Sequence, residues 1–348
     1  MKQQHNGEWK RRIRCRWRAP THVLDEILAR TDDVILRKRN GLFGDWRAAL
    51  VLLLPAVAIL GLFGIAPLFA AAWMSLYGGK YGAGAFIGLG NYAEALGNPD
   101  FWNSALVTLY YVAGTIPATI FLSFCIAYAL HRIVRGRGFF RTLYFLPYIT
   151  STVAAAMVWR ALLNPQFGFA NSLLRLAGLP AQQWLLEPRS ILHLLSGGLV
   201  PETAGPSLAL CCIMAFDIWH ASGFMVVILL AGLSAIPREL EEAAQIDGAG
   251  AFRRIRHVVL PLLSPTLFFL LIVGTIKAFQ AFNSFYALTQ GGGNVAGTTQ
   301  NLVLHLYANF YEYGYWGYGA AVATLLTAMI VLLTLVQWRY IGRRVHYK

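Results

Sequence analysis

The chain has 348 residues and a formal net charge of +13, with 57% hydrophobic and 13% charged residues. Soluble domains carry about 25% charged residues, so the composition excludes a soluble globular protein, a disordered chain and a collagen-like one. The four cysteines, Cys15, Cys125, Cys211 and Cys212, show neither metal-ligand spacing nor the pattern of a secreted disulfide framework.

Residues 1–47 read as a basic extension. No short apolar run follows the early basic residues, so no cleavable signal is expected there. Lys10, Arg11, Arg12, Arg14, Arg16 and Arg18, with Trp17 among them, suit anionic lipid headgroups at a membrane surface. Val23, Leu24, Ile27 and Leu28, then Val34 and Ile35, fit a short amphipathic helix.

Six later stretches are long and apolar enough to cross a bilayer as helices: 48–77, 104–130, 139–162, 207–233, 262–288 and 317–341. Pro55 and Pro67 predict a kink in the first. No run of alternating ten-residue strands occurs, which excludes a membrane barrel. The predicted fold class is therefore all-α, a polytopic membrane protein with six transmembrane helices. Of the 29 Lys and Arg residues, 24 fall in the N-terminal segment, the 131–141 and 235–261 loops, and the tail. By the positive-inside rule both termini are cytoplasmic. The same rule explains the basic loops without any nucleic acid.

Charged and polar side chains within spans face a cavity or a partner, because lipid does not solvate them. The fourth span carries Asp217 and, three residues on, His220, with Trp219 between them. The fifth carries Lys277, Gln280 and Asn283 at three-residue steps, a predicted polar stripe beside Phe279, Phe282 and Tyr286. Rings stack on pyranose faces and amides both donate to and accept from hydroxyls, so this lining suits a sugar. The candidate substrate path is Phe282 and Asn283, then Gln280, Asp217, Trp219 and His220. A structural Lys277–Asp217 pair between the two spans is a further expectation.

The 235–261 loop is the longest basic loop and has its own pattern. Ser234 can cap a helix, Pro237 fits a first helical turn, and Glu239, Glu241 and Glu242 lie where the helix dipole favours acids. Asp247–Gly248 marks a turn. A second helix carrying Arg253, Arg254, Arg256 and His257 is expected to close at Pro261, where the fifth span opens. The product is a helix–turn–helix outside the bilayer, with small residues at Ala243, Ala244 and Gly248 that permit close approach by another protein.

Between the fifth and sixth spans, Asn294, Gln300, Asn301, Asn309, Tyr311, Tyr313 and Trp316 form a loop suited to contact with another protein or to an interfacial aromatic belt. The chain has no Gly-x-x-x-x-Gly-Lys-Ser/Thr loop: Gly78-Gly79-Lys80 is too short, and 291–297 lacks the lysine. ATP is therefore not expected on this polypeptide. His5, His22, His131, His193 and His305 are scattered, and no metal or catalytic grouping emerges.

Glu242-Ala243-Ala244, then Asp247-Gly248, then Val258-Val259-Leu260-Pro261 resembles the Glu-Ala-Ala loop of ABC importer permeases, with Val258 where the family commonly has isoleucine. Phe86–Tyr92, Leu146-Pro147-Tyr148, Trp159, Asn164-Pro165 and Thr289–Gly293 resemble other parts of the carbohydrate subfamily, the maltose and glycerol-phosphate type. The resemblance spans 48–345. It leaves out residues 1–47 and the 163–206 segment, where 196–206 reads as an insertion. It implies a type I ABC importer permease fold in a bacterial inner membrane. It also implies a second permease subunit, two ATP-binding subunits that hold ATP and Mg, an extracytoplasmic solute-binding protein, and no enzymatic activity in this chain. Glu242, Ala243, Ala244, Asp247, Gly248, Leu260 and Pro261 would form the ATPase-coupling element, and Phe282-Asn283 falls on the family's substrate-holding element. Two other classes stand beside this one. An ion-coupled secondary transporter would use Asp217, His220 and Lys277 as a relay, and a lipid-linked transferase would need more than one intramembrane acid.

Overall fold

The computed structural model describes residues 46–82, 84–132, 136–291 and 295–345. The basic strip at 10–18, the helix expected over 23–35, and Arg135, Gly292, Gly293, Asn294 and Lys348 lie outside the described residues. The chain divides between Leu68 and Phe69 into two units. The first holds α1 (Trp46–Ile59), a π-helical segment (Leu60–Ile65) and the opening of α2 (Ala66–Met74). Helix continues through Pro55 and widens only at Leu60–Ile65, which includes Gly61 and Gly64. A π-turn absorbs the irregularity that the prolines predicted as a kink.

The second unit contains the remaining helices. They are α3 (Gly90–Gly97), α4 (Pro99–Arg132), α5 (Arg137–Ile149), α6 (Thr152–Leu162), α7 (Phe169–Leu176) and α8 (Ile191–Leu195). Then come α9 (Leu208–Ser234), α10 (Arg238–Ile246), α11 (Ala251–Arg254), α12 (Leu260–Phe279), α13 (Asn283–Leu288), α14 (Leu302–Tyr307) and α15 (Trp316–Tyr340). Among the described residues there is no strand, only the isolated bridges Tyr77–Phe86 and Ser190–Ser207. Five helices are long and apolar enough to span a membrane, and the pair α5–α6 makes a sixth if taken as one broken span.

Helix α9 is apolar on every side except the face of Asp217 and His220, as a helix largely enclosed by others is. Ser207 caps it by accepting from the Leu210 N–H. It packs along α4 and against α5. The contact is close because Gly223 has no side chain: a Cβ there would stand 2.3 Å from the Tyr144 carbonyl oxygen of α5. On the neighbouring residue the Ser222 carbonyl accepts from the Ser123 hydroxyl of α4 at 3.2 Å. Small and hydroxylic residues thus draw three helices together where lipid supplies no hydrophobic drive.

The stretch 139–162, expected as one span, is two helices bent by 94°. Pro147 lacks an N–H, and Thr150 turns its hydroxyl onto the Pro147 carbonyl at 2.6 Å. The chain is extended at Thr150, and α6 starts afresh at Thr152. A proline followed by a competing hydroxyl ends the helix.

The fifth span departs from expectation at both ends. Its start is not closed at Pro261: helix runs from Ala251 to Phe279, with a π-helical turn at Ile255–Val259 that accommodates the proline. Its end comes earlier than expected. Helix α12 stops at Phe279, residues 280–282 break it, and α13 begins at Asn283. The freed Ala281 carbonyl accepts from the side chain of Asn301 at 2.6 Å. Asn301 is buried and also caps α14 through Leu304 N–H. It is a structural staple, whereas Tyr311 and Tyr313 of the same loop are exposed.

The segment between α6 and α9 is ordered by side chains. Asn171 accepts from Gln182 N–H and the Trp184 indole, and donates to the Pro165 and Gln182 carbonyls. The C-terminal half of the 196–206 insertion is tied back, since Ser190 N–H donates to Glu202 and Ile191 N–H to Pro206. Glu187 is buried and takes two hydrogen bonds from the Arg189 guanidinium, at 2.7 and 2.9 Å, and one from its backbone N–H at 3.3 Å.

Gly223→Ala should lower the stability of the detergent-solubilised protein by about 1–3 kcal/mol through overpacking, read as a drop in thermal midpoint. Gly138→Ala, where an added Cβ meets nothing within 4 Å, should not. The Arg189 hydrogen bonds hold the Glu187 carboxyl below its ordinary pKa. Its contribution is therefore present above the ordinary glutamate pKa and lost as pH falls through the lowered folded value. Glu187→Gln should destabilise the protein at neutral pH, and the gap to wild type should close in acid thermal melts.

Candidate functional site

A cavity of about 320 Å³ lies where α4, α5, α6, α9, α12 and α13 meet. This is within the size range of small-ligand sites, about 300–1,000 Å³. Helix α4 contributes Tyr111, Thr115 and Thr119, one helical turn apart in succession. Helices α5 and α6 contribute Tyr148 and Thr152, one on each side of the bend. Asp217, His220 and Phe224 come from α9, and Lys277, Gln280, Phe282, Asn283 and Ser284 from α12, the break and α13.

The helix break brings the polar residues of the fifth span together. Lys277, Gln280 and Asn283 do not form one continuous stripe, because helix ends between the first and the others. They meet in the cavity all the same, with Gln280 in the break and Asn283 at the start of α13. Phe282 stacks on Tyr286, ring centroids 5.1 Å apart, and Tyr307 lies 5.0 Å from it.

Asp217 and Lys277 both line the cavity but do not pair. The Tyr111 hydroxyl donates to Asp217 Oδ2 at 2.7 Å, and the Tyr111 ring sits edge-on to Phe285. Lys277 Nζ lies 4.9 Å from the Phe224 ring centre and 5.6 Å from that of Tyr148. It also donates to the Tyr148 hydroxyl at 3.3 Å. Among the described residues Arg189 pairs with Glu187, and His193 Nε2 lies 3.8 Å from a Glu202 carboxyl oxygen. The expected Lys277–Asp217 bridge is therefore replaced by a hydroxyl contact for the acid and an aromatic seat for the base.

His220 stacks on Phe216 and leaves Nε2 without a hydrogen-bond partner among the described residues. Trp219 is not in the cavity. Two residues from Asp217, it points to another side of α9, where it packs on Trp159. The α4 wall went unread in the sequence, although Thr108, Tyr111, Thr115, Thr119 and Ser123 carry hydroxyls at steps of three and four along an apolar helix. Among the described residues no group of three His, Cys, Asp or Glu side chains is placed to hold a metal ion.

The second candidate element is the 235–261 loop. Helix α10 is preceded by Pro237, while Ser234 bonds back to the Leu230 carbonyl at the end of α9 and does not cap α10. Glu239 and Glu241 lie in its first turn. Gly248 adopts φ +77°, which lets its N–H reach the Gln245 carbonyl and the Ala249 N–H reach that of Ala244. Glu242, Ala243, Asp247 and Gly248 are exposed; Ala244, Leu260 and Pro261 are half-buried. Ile246 and Phe252 are 87% and 76% exposed, an apolar surface that the described residues do not cover.

A family model for the inner membrane component of binding-protein-dependent transport systems matches residues 87–347. The chain belongs to this family. The permease is 32% identical over 295 residues to the trehalose/maltose transport system permease protein MalF of Thermococcus litoralis, covering 84% of this chain and 92% of that one. It is 35% identical over 263 residues to the sn-glycerol-3-phosphate transport system permease protein UgpA of Agrobacterium fabrum, covering 75% and 83%. Its fold matches the crystal structure of a bacterial ABC transporter involved in import of the acidic polysaccharide alginate, with a TM-score of 0.70 at 20% identity over 88% of this chain and 99% of that chain. The chain is thus an all-α permease subunit of an ABC importer, an inner membrane component. Neither the family nor these relatives support an ion-coupled transporter.

In this permease, Tyr111→Phe should lower stability by about 1–2 kcal/mol by withdrawing the donor from Asp217. Paired with Asp217→Asn in a double-mutant cycle on thermal midpoints, the two changes should cost less together than their sum.

Proposed function

We propose that the permease moves a sugar or a related polyol from an extracytoplasmic binding protein through the cavity into the cytoplasm, driven by two separate ATP-binding subunits that grip the 235–261 loop. The observation that carries this reading is the exposed α10–Gly248–α11 turn, which presents Glu242 and Ala243 beside the uncovered Ile246 and Phe252. The relatives named for trehalose/maltose and sn-glycerol-3-phosphate transport support the cargo class. A structure of the alginate transporter in complex with a pentasaccharide-bound periplasmic protein supports the binding-protein partner.

In this reading residues 48–345 are the permease domain and 1–47 a basic cytoplasmic extension against lipid. Both termini are cytoplasmic, as the basic loops require. A second permease subunit completes the pathway. ATP and Mg reside on the partner subunits, and this chain carries out no chemical step. Glu242 pairs with a basic residue of the ATPase, Gly248 lets that surface approach closely, and Leu260-Pro261 joins the loop to the long helix. Closing of the ATPase dimer moves the loop as a rigid body. The helix Ala251–Phe279 carries the motion to Gln280, Phe282 and Asn283, which hold solute with Asp217 and His220 in reach.

The test is ATP-driven uptake in vesicles holding the permease with its co-purifying ATPase, wild type against Glu242→Ala with Gly248→Pro. Proline fixes φ near −65° and cannot adopt the positive angle of this turn. Uptake should fall by at least about tenfold, and the ATPase should no longer co-purify. Undiminished uptake with the ATPase retained would show that another surface couples the motor.

A further inference from the structure

We propose that Lys277 makes the cavity selective for an anionic solute, so that the cargo is an acid-bearing sugar or polyol rather than a neutral one. This deepens the function proposed above and rests on it.

The argument begins with the hydrogen-bonding capacity of the ammonium group. Lysine carries three N–H donors and one full charge. Here one donor meets the Tyr148 hydroxyl at 3.3 Å, and the charge lies over the rings of Phe224 and Tyr148. Ring faces attract a cation but accept no strong hydrogen bond, so they position Nζ without satisfying it. Lys277 forms no ion pair among the described residues. The one acid in the cavity wall, Asp217, is engaged separately by the Tyr111 hydroxyl.

The position of Lys277 in the chain points the same way. It sits in the last turn of α12, where the helix dipole favours a cation. Just past it are the amides of Gln280 and Asn283, which can donate to the same oxygens. On the α4 wall the Thr119 hydroxyl, and on α6 that of Thr152, line the same space. A charged head beside neutral amides and hydroxyls matches a solute with one carboxylate or phosphate and several hydroxyls. Charge-assisted bonds to such a group are about twice as strong as neutral ones.

The test has two arms, both on the assembled transporter with its ATPase, second permease and binding protein. In the first, Asn283→Cys is placed in a background whose four native cysteines are replaced by alanine. Its reaction rates with an anionic (sulfonatoethyl) and a cationic (trimethylammonioethyl) methanethiosulfonate are compared. Lys277→Gln should lower the anion-to-cation rate ratio on the order of tenfold through loss of the local field, and Lys277→Arg should keep it. An unchanged ratio overturns the proposal, because the charge is then spent elsewhere, for instance on the second permease. In the second arm, uptake of sn-glycerol 3-phosphate, a galacturonate trisaccharide and trehalose is measured. Uptake of an anionic solute that falls roughly tenfold in Lys277→Gln and survives in Lys277→Arg supports the proposal, and which anion is carried separates phosphate from carboxylate. Uptake of trehalose alone, equal in all variants, overturns this inference and leaves the sugar-import reading standing. If none of the three is carried, that reading fails and this one with it.

Discussion

The carbonyl of Ala281 has no helical partner, and the amide of Asn301 supplies one. Within a membrane protein an unpaired backbone group is costly, and a broken helix persists only where something else satisfies it. Asn301 does so from the start of α14, while the next N–H, that of Leu302, donates to Thr108 of α4. Three parts of the chain distant in sequence are thereby fixed around one interruption. The cavity depends on it: without the break, Gln280 and Asn283 would lie along a continuing helix, and α13 would not turn Ser284 and Phe282 into the same space.

A second constraint acts on the other wall. Gly223 and Ser222 of α9 bring α5 and α4 within backbone reach, so α9 is enclosed along much of its length. That enclosure sets which of its residues can face the cavity. Asp217, His220 and Phe224 recur at steps of three and four and share the open side, whereas Trp219 falls on another. The aromatic seat of Lys277 is built from this helix and from Tyr148, just ahead of the bend, so both interruptions of helix contribute to one site.

The sequence made the spans legible through length and apolarity, and the 235–261 loop legible through its charges, its Asp247-Gly248 turn and the spacing of Glu242, Ala243, Ala244, Leu260 and Pro261. It did not reveal where helices stop. Pro147 falls inside what reads as one continuous span, and the stop comes from Thr150 turning onto the preceding turn. Nothing local marked Gln280–Phe282, because the group that stabilises the break is some twenty residues away at Asn301. Pro261 looked like a boundary, yet a π-turn carries helix through it. Lys277 and Asp217 invited pairing by opposite charge. Their partners, Tyr148 and Tyr111, are neutral residues on other helices, which a charge-based reading does not find.

The early end of α12 also bears on how the chain enters a bilayer. From Leu260 to Phe279 the helix has 20 residues, about 30 Å at 1.5 Å per residue. That is about the thickness of the hydrocarbon core. The segment offered to lipid on insertion can therefore stop before Gln280 and Asn283, with Lys277 near enough to its end to extend its ammonium towards the headgroups. The amides need no shelter from hydrocarbon at that stage. They join the cavity wall only once the helix is broken and Asn301 closes on Ala281, so the polar pathway is completed by helix assembly rather than carried through the membrane during synthesis.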